Sequence, residues 1–293
     1  MDVQSVSEAL AAAVESAGAS VVRVEGRCVA ASGVVWSADG AVVTASHAIG
    51  RGEGLAVGLP DGRVVKATVA GRDAGTDVAV LRVEATGLTA PRWSDGAGLK
   101  VGHLVLPVGR PGRSVRATLG MLGALGDGFR SAGGAQIDRY LEVDGSLPRG
   151  FSGGPLVDTA GAFLGMNTAA LTRAGGTVPY ATLRRVADEL LASGRVGRAY
   201  LGVSVFPARV PESLREKAGA ARGLVVVGLD EAAPAARDGL LVGDVIVSVG
   251  GAAVEGPGDL LAALEGRVGA AVAVRVIRAG EVAEVTVTAG ARS

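Results

Sequence analysis

One serine set among glycines, two histidines upstream of it, and the aspartates between them have the types and spacing for nucleophilic chemistry. The serine is Ser152, in Arg149-Gly150-Phe151-Ser152-Gly153-Gly154-Pro155-Leu156-Val157. Glycine tolerates backbone angles closed to other residues and lets N–H groups crowd toward one point. A serine in that setting is a candidate nucleophile, and the amides of Gly150 and Ser152 are candidates to stabilise a developing oxyanion. The competing reading is a plain glycine-rich turn of a β protein.

Gly150 to Gly154 also satisfies G-x-S-x-G, the nucleophile elbow of α/β-hydrolases. That fold needs its histidine after the serine and after the acid. Both histidines here, His47 and His103, precede Ser152. The order His, Asp, Ser is that of the chymotrypsin-type β-barrel proteases. His47 has the only side-chain type that titrates near pH 6.5 unperturbed, as a base for serine must. His103 follows Val101-Gly102 and reads as a surface residue. Asp77 opens an apolar strand, and Asp73, one turn earlier, is its rival for the acid.

Strands must hold these groups. Asp39-Gly40 and Asp61-Gly62 are hairpin signals between apolar runs. The first hairpin runs directly into Ala45-Ser46-His47-Ala48, so His47 is expected at a strand end, on a barrel rim. Before it, Ser5 to Glu8 reads as a capping box ahead of a short helix over 6–17. A second set of strands is expected near 102–108, 115–125, 137–143, 155–158 and 162–168, with Gly126 to Gly134 as a loop. Leu183, Val186, Ala187, Leu190 and Leu191 fit one face of a helix. Beyond a linker at Arg195–Arg198, strands near 200–206, 223–229, 244–249, 271–278 and 282–288 alternate with helices near 234–238 and 258–265.

The chain has 293 residues and matched charges, 29 basic and 29 acidic, which exclude a nucleic-acid or anionic-membrane partner held by bulk charge. One cysteine, Cys28, precludes an internal disulfide and reads as a small buried hydrophobe. One cysteine and two histidines do not supply the usual ligands of a zinc site. No signal peptide or membrane span is visible in the sequence.

Three boxes now stand in order: Thr44-Ala45-Ser46-His47-Ala48, Thr76-Asp77-Val78-Ala79-Val80-Leu81 and Gly150-Phe151-Ser152-Gly153-Gly154-Pro155. Together they closely resemble the HtrA (Deg) family of serine proteases. Gly165-Met166-Asn167-Thr168 resembles the family's strand near the substrate pocket. Gly194 to Val203 resembles its approach to a PDZ domain, and Gly243-Asp244-Val245-Ile246 a strand typical of that domain.

The resemblance implies a mostly β protein. A chymotrypsin-like double β-barrel would span 1–195, and an α+β PDZ domain 199–293. It implies a serine endopeptidase acting on unfolded or damaged polypeptides through His47, Asp77 and Ser152, with Gly150 and Ser152 as oxyanion hole and no metal or organic cofactor. By position it places Leu147, Ala170 and Leu171 at the substrate pocket, which implies small or medium aliphatic residues at P1. It places Tyr200, Leu201, Gly202 and Val203 at a loop holding peptide C-termini. It also implies a homotrimer and a periplasmic or extracellular location. The alternative is a catalytically silent barrel that works as a PDZ scaffold or chaperone. Two departures stand out: Phe151 replaces the family's polar residue before the serine, and the first 35 residues lack the aromatics of the family's trimers.

Overall fold

Alternating Val and Ala around tight Asp-Gly turns build the first sheet, because β-branched side chains suit a pleated, buried surface. The computed structural model describes residues 2–26, 30–131, 133–172 and 175–292; Cys28 lies outside them. Six antiparallel strands, β1 (Val21–Glu25), β2 (Ala30–Ser37), β3 (Ala41–Ala45), β4 (Ala56–Gly58), β5 (Val64–Asp73) and β6 (Val78–Val83), close into a barrel in the order β1-β2-β3-β6-β5-β4. Val22, Val24, Val35, Val42, Val57 and Leu81 fill its interior.

The second sheet uses β7 (Leu104–Gly109), β8 (Arg116–Ala117), β9 (Gly120–Gly126), β12 (Tyr140–Val143), β13 (Pro155–Asp158), β14 (Phe163–Thr168) and β15 (Gly176–Pro179). Its hydrogen-bond path runs β12-β9-β7-β13-β14-β15, with β8 beside β7. The stretch expected as a loop at Gly126–Gly134 is partly strand: β10 (Phe129–Arg130) pairs with β11 (Gln136–Ile137). Trp36 of β2, Trp93, Phe163 of β14 and Tyr180 cluster between the two sheets, with Trp93 and Tyr180 stacked at 5.0 Å.

Helix α1 (Val3–Gly18) starts earlier than the Ser5 capping box predicts. The Asp2 carboxylate accepts the Ser5 N–H at 2.7 Å and the Ser5 hydroxyl at 3.0 Å. It therefore caps one turn upstream, as an aspartate at that position should. Helix α2 (Tyr180–Ser193) buries Leu183, Val186, Ala187 and Leu190, the predicted face, and ends on left-handed Gly194.

The chain divides into two compact units, 1–196 and 197–293. In the second, β16 (Arg198–Tyr200) pairs with β23 (Gly290–Arg292). A further sheet runs β17 (Val203–Arg209), β18 (Arg222–Leu229), β19 (Val245–Val249), β21 (Ala271–Arg278) and β22 (Glu281–Thr288), with β20 (Ala252–Ala253) beside β19. The single strand expected at 200–206 is split at Gly202. Helices α3 (Glu212–Ala218), α4 (Pro234–Arg237) and α5 (Pro257–Ala263) complete the unit; α3 was not anticipated, since its seven residues are too few to show a period. Buried Asp244 anchors the interior by a bidentate pair with Arg278, at 2.8 and 2.7 Å.

Candidate active site

His47 is not at the strand end itself but one residue into a 3-10 turn, Ser46–Ile49, that follows β3. The turn is pinned by Asp77. Its carbonyl accepts the Ser46 N–H at 2.9 Å, and its Oδ1 accepts the His47 N–H at 2.8 Å. Asp77 adopts φ 58°, a left-handed conformation that aspartate tolerates better than most residues. Its Oδ2 lies 2.7 Å from His47 Nδ1. The same oxygen accepts the hydroxyl of Thr168 at the end of β14.

The buried carboxylate is thus held by three donors from both sheets. The hydrogen bond to Asp77 raises the His47 pKa above its ordinary value, against the lowering effect of partial burial, and the charge of Asp77 adds to the rise. Asp73 serves another purpose. Its carboxylate accepts the amides of Gly75 and Thr76 and the Thr76 hydroxyl, shaping the turn before Asp77.

The serine turn is seated on β2. Ser32, fully buried, donates its N–H to the Ser152 carbonyl at 3.1 Å and its hydroxyl to the Gly150 carbonyl at 2.7 Å. The Ser32 hydroxyl in turn accepts the Arg110 N–H at 2.8 Å. Gly153 has φ 87°, and a Cβ there would stand 2.0 Å from the Ser32 carbonyl oxygen and 2.5 Å from Thr44 Oγ1. Only glycine fits so tight a crossing. Gly150 also has positive φ, 84°. Among the described residues, neither the Gly150 nor the Ser152 amide donates a hydrogen bond to a protein acceptor. Phe151 is buried and packs over Gly109, so the side chain that departs from the family pattern points away from solvent.

His47, Ser152, Gly150, Leu147, Arg149 and Ala169 line one cleft of about 700 Å³. No hydrogen bond joins His47 to Ser152; the Ser152 hydroxyl accepts the Ala169 N–H at 3.3 Å. Catalytic hydrogen bonds are often long before substrate binds. Of the three residues expected at the substrate pocket, Leu147 lines the cleft. Ala170 is exposed and Leu171 is buried in the core, and the cleft lining includes neither. Leu147 also borders a second cavity of about 300 Å³, whose lining includes Glu142, Asp144, Asn167 and Thr177.

The trypsin-like peptidase domain family matches residues 31–166, and the PDZ domain family matches residues 199–289. The chain therefore carries a trypsin-like peptidase domain followed by a PDZ domain, and DegP-like serine endoproteases are among its homologues. It is 37% identical over 270 residues to "Probable periplasmic serine endoprotease DegP-like" of Halomonas elongata, covering 88% of this chain and 56% of that one. It is 35% identical over 240 residues to the protein of the same name in Brucella suis, covering 78% and 46%. The chain therefore spans about half the length of these relatives.

Among solved structures, "HtrA-type protease AlgW with decapeptide" superposes with TM-score 0.80 at 27% identity, covering 97% of this chain and 99% of that one. The serine endoprotease from Yersinia pestis gives 0.78 at 28%, covering 96% and 97%. The relatives' names place them in the periplasm. Among the described residues, no helix is long and apolar enough to cross a membrane.

Tyr200, Leu201, Gly202 and Val203, the residues expected to hold a peptide C-terminus, lie where β16 passes into β17. Gly202, at φ 82°, lies so close to Ala233 that a Cβ would stand 2.0 Å from the Ala233 Cβ. β17 is the edge strand of its sheet, with its outer side unpaired in the strand order. Leu201, Leu260 and Leu264 are buried in the core, while Val203 is part-buried and Leu261 is 43% exposed. Sequence reasoning missed Ser32 and the hydroxyl of Thr168 as site residues. A lone serine in a valine-rich strand carries no signal by itself. Thr168 was visible only as the last residue of the Gly165-Met166-Asn167-Thr168 box.

Proposed function

We propose that this chain is a serine endopeptidase that cleaves peptide bonds of unfolded or damaged polypeptides. Ser152 is the nucleophile. His47 takes the Ser152 proton as general base and returns it to the leaving amine. Asp77 fixes the tautomer that carries hydrogen on Nδ1 and stabilises the imidazolium. The amides of Gly150 and Ser152 hold the oxyanion of the tetrahedral intermediate. The observation that carries this reading is the 2.7 Å contact between His47 Nδ1 and Asp77, made in the same cleft as Ser152.

The apolar side chains of Leu147 and Ala169 support a preference for small or medium aliphatic residues at P1. Edge strand β17 supports peptide capture by strand addition. The loop Tyr200-Leu201-Gly202-Val203 would take the terminal carboxylate, as PDZ domains do. Mass spectrometry of the fragments released from a denatured protein tests both points. Cleavage after Val, Leu and Ala that Ser152→Ala abolishes is expected. A silent barrel releases no fragments, and a map dominated by Lys or Arg at P1 contradicts the pocket assignment. Peptides with free and amidated C-termini distinguish the carboxylate reading; equal affinity would sink it.

A further inference from the structure

On the flank of the first barrel, away from His47 and Ser152 in its lining, lies a pocket of about 260 Å³ bordered by Arg23, Leu59, Val64, Arg110, Gly112 and Arg113. Three arginines converge there and no carboxylate lines it. Arg110 is 7% exposed. Its guanidinium is held by backbone carbonyls: Nε donates to Val21 at 2.7 Å, Nη1 to Arg113 at 2.7 Å and Nη2 to Gly18 at 2.8 Å.

Among the described residues, neither Arg110 nor Arg113 has a carboxylate partner. Burial pushes the Arg110 pKa down, the sign of a cation that lacks a counter-charge. Arg23 does pair with Glu25 through Nη2, but its Nε is buried without a hydrogen-bond partner. Buried charge and unpaired buried donors are both costly, and one anion in the pocket relieves both.

We propose that this pocket binds a small phosphate-class oxyanion, and that its occupancy steadies the Gly150 turn. Guanidinium forks match phosphate oxygens in geometry as well as charge. The volume admits inorganic phosphate or a small phosphomonoester, and Leu59 and Val64 offer an apolar wall to the organic part of the latter.

The link to the turn is short. The Arg110 N–H donates to the Ser32 hydroxyl, which donates to the Gly150 carbonyl. Pro111, between Arg110 and Gly112, lies against Gly150, where an added Cβ would stand 2.6 Å from the Pro111 Cβ. An anion that fixes the 110–113 segment therefore fixes what Gly150 rests on. The effect on catalysis depends on the oxyanion role proposed for Gly150; the binding does not.

The test is a titration of the ¹⁵N-labelled full chain with sodium phosphate at constant ionic strength, read from backbone amide resonances. Saturable shifts at Gly112, Arg113 and Gly150 with one common Kd are expected. The Kd should weaken about tenfold or more in Arg113→Ala, which removes an exposed guanidinium without opening the core, and likewise in Arg23→Gln. Parallel titration with glycerol 3-phosphate distinguishes free phosphate from a phosphomonoester by which binds tighter. Shifts that chloride reproduces, or a Kd unchanged in both variants, overturn the site. Saturable shifts at Gly112 and Arg113 with none at Gly150 overturn the coupling. No turnover is read, so inactivity of the protein would leave these outcomes intact.

Discussion

Replacing Ser32 by alanine removes one hydroxyl from a fully buried position and leaves two backbone groups without partners. These are the Gly150 carbonyl, now 2.7 Å from the hydroxyl, and the Arg110 N–H, now 2.8 Å from it. A buried polar group left unpaired costs about 1–3 kcal/mol. Gly150 is partly exposed and water can replace part of its bond, so the total is expected in the lower part of the combined range, about 2–4 kcal/mol. A unit of this size loses about 2–4 °C in Tm per kcal/mol, so its midpoint should fall by about 4–16 °C.

The catalytic effect is separable. Outright loss of one oxyanion donor costs about 10²–10³ in kcat. Ser32→Ala loosens the turn that carries Gly150 without deleting its amide, so kcat should fall about 10- to 100-fold while KM stays nearly constant. Thermal unfolding by circular dichroism and steady-state hydrolysis of a fluorogenic peptide with an aliphatic P1 residue read the two effects. A variant with kcat within twofold of wild type would refute the claim that Ser32 holds the oxyanion turn. An unchanged Tm would refute the energetic reasoning.

The remaining expectations are of three kinds. Gly153→Ala places a Cβ 2.0 Å from the Ser32 carbonyl oxygen at positive φ; the displaced Ser152 should cost about 100-fold or more in kcat/KM, and near-normal hydrolysis would show that the turn tolerates a side chain. The Asp77 contact raises the His47 pKa and catalysis needs neutral imidazole. The acid limb of kcat/KM should therefore inflect above pH 6.5 and move down in Asp77→Asn, whereas an inflection at or below 6.5 in wild type would contradict the pairing. For Asp244, burial works to raise the pKa, but the Arg278 pair and the Leu241 amide outweigh it and hold the value below the ordinary 3.8. Its stabilisation is present above that pH and lost as pH falls through the lowered value. Arg278→Ala should lower the urea midpoint of the second unit at pH 7, with the difference shrinking toward pH 3; equal midpoints at pH 7 would deny the pair any role.

The sequence patterns that proved legible are local. Asp39-Gly40 announces the hairpin that delivers His47, and the spacing of Leu183, Val186, Ala187 and Leu190 announces the buried face of α2. What escaped is set by distant contacts or by lengths below one period. Ser32 meets Gly150 across 118 residues, and no feature near Ser32 encodes that meeting. Phe129–Arg130 is strand only because Gln136–Ile137 pairs with it, among glycines that locally favour a loop. Leu171 is placed at the substrate pocket by position, yet it is buried in the core, while Ala169 lines the cleft. Asp2 outcompeted Ser5 as helix cap because its carboxylate satisfies two donors of Ser5 at once.

The central claim is that Ser152 is a nucleophile activated by His47. Labelling with a fluorophosphonate, followed by peptide mapping in a mass spectrometer, tests it most directly. The reagent should add once, on Ser152, in the wild-type protein, with labelling nearly abolished in His47→Ala. Absence of an adduct from the folded wild-type protein, or an adduct on any other residue, would contradict the account.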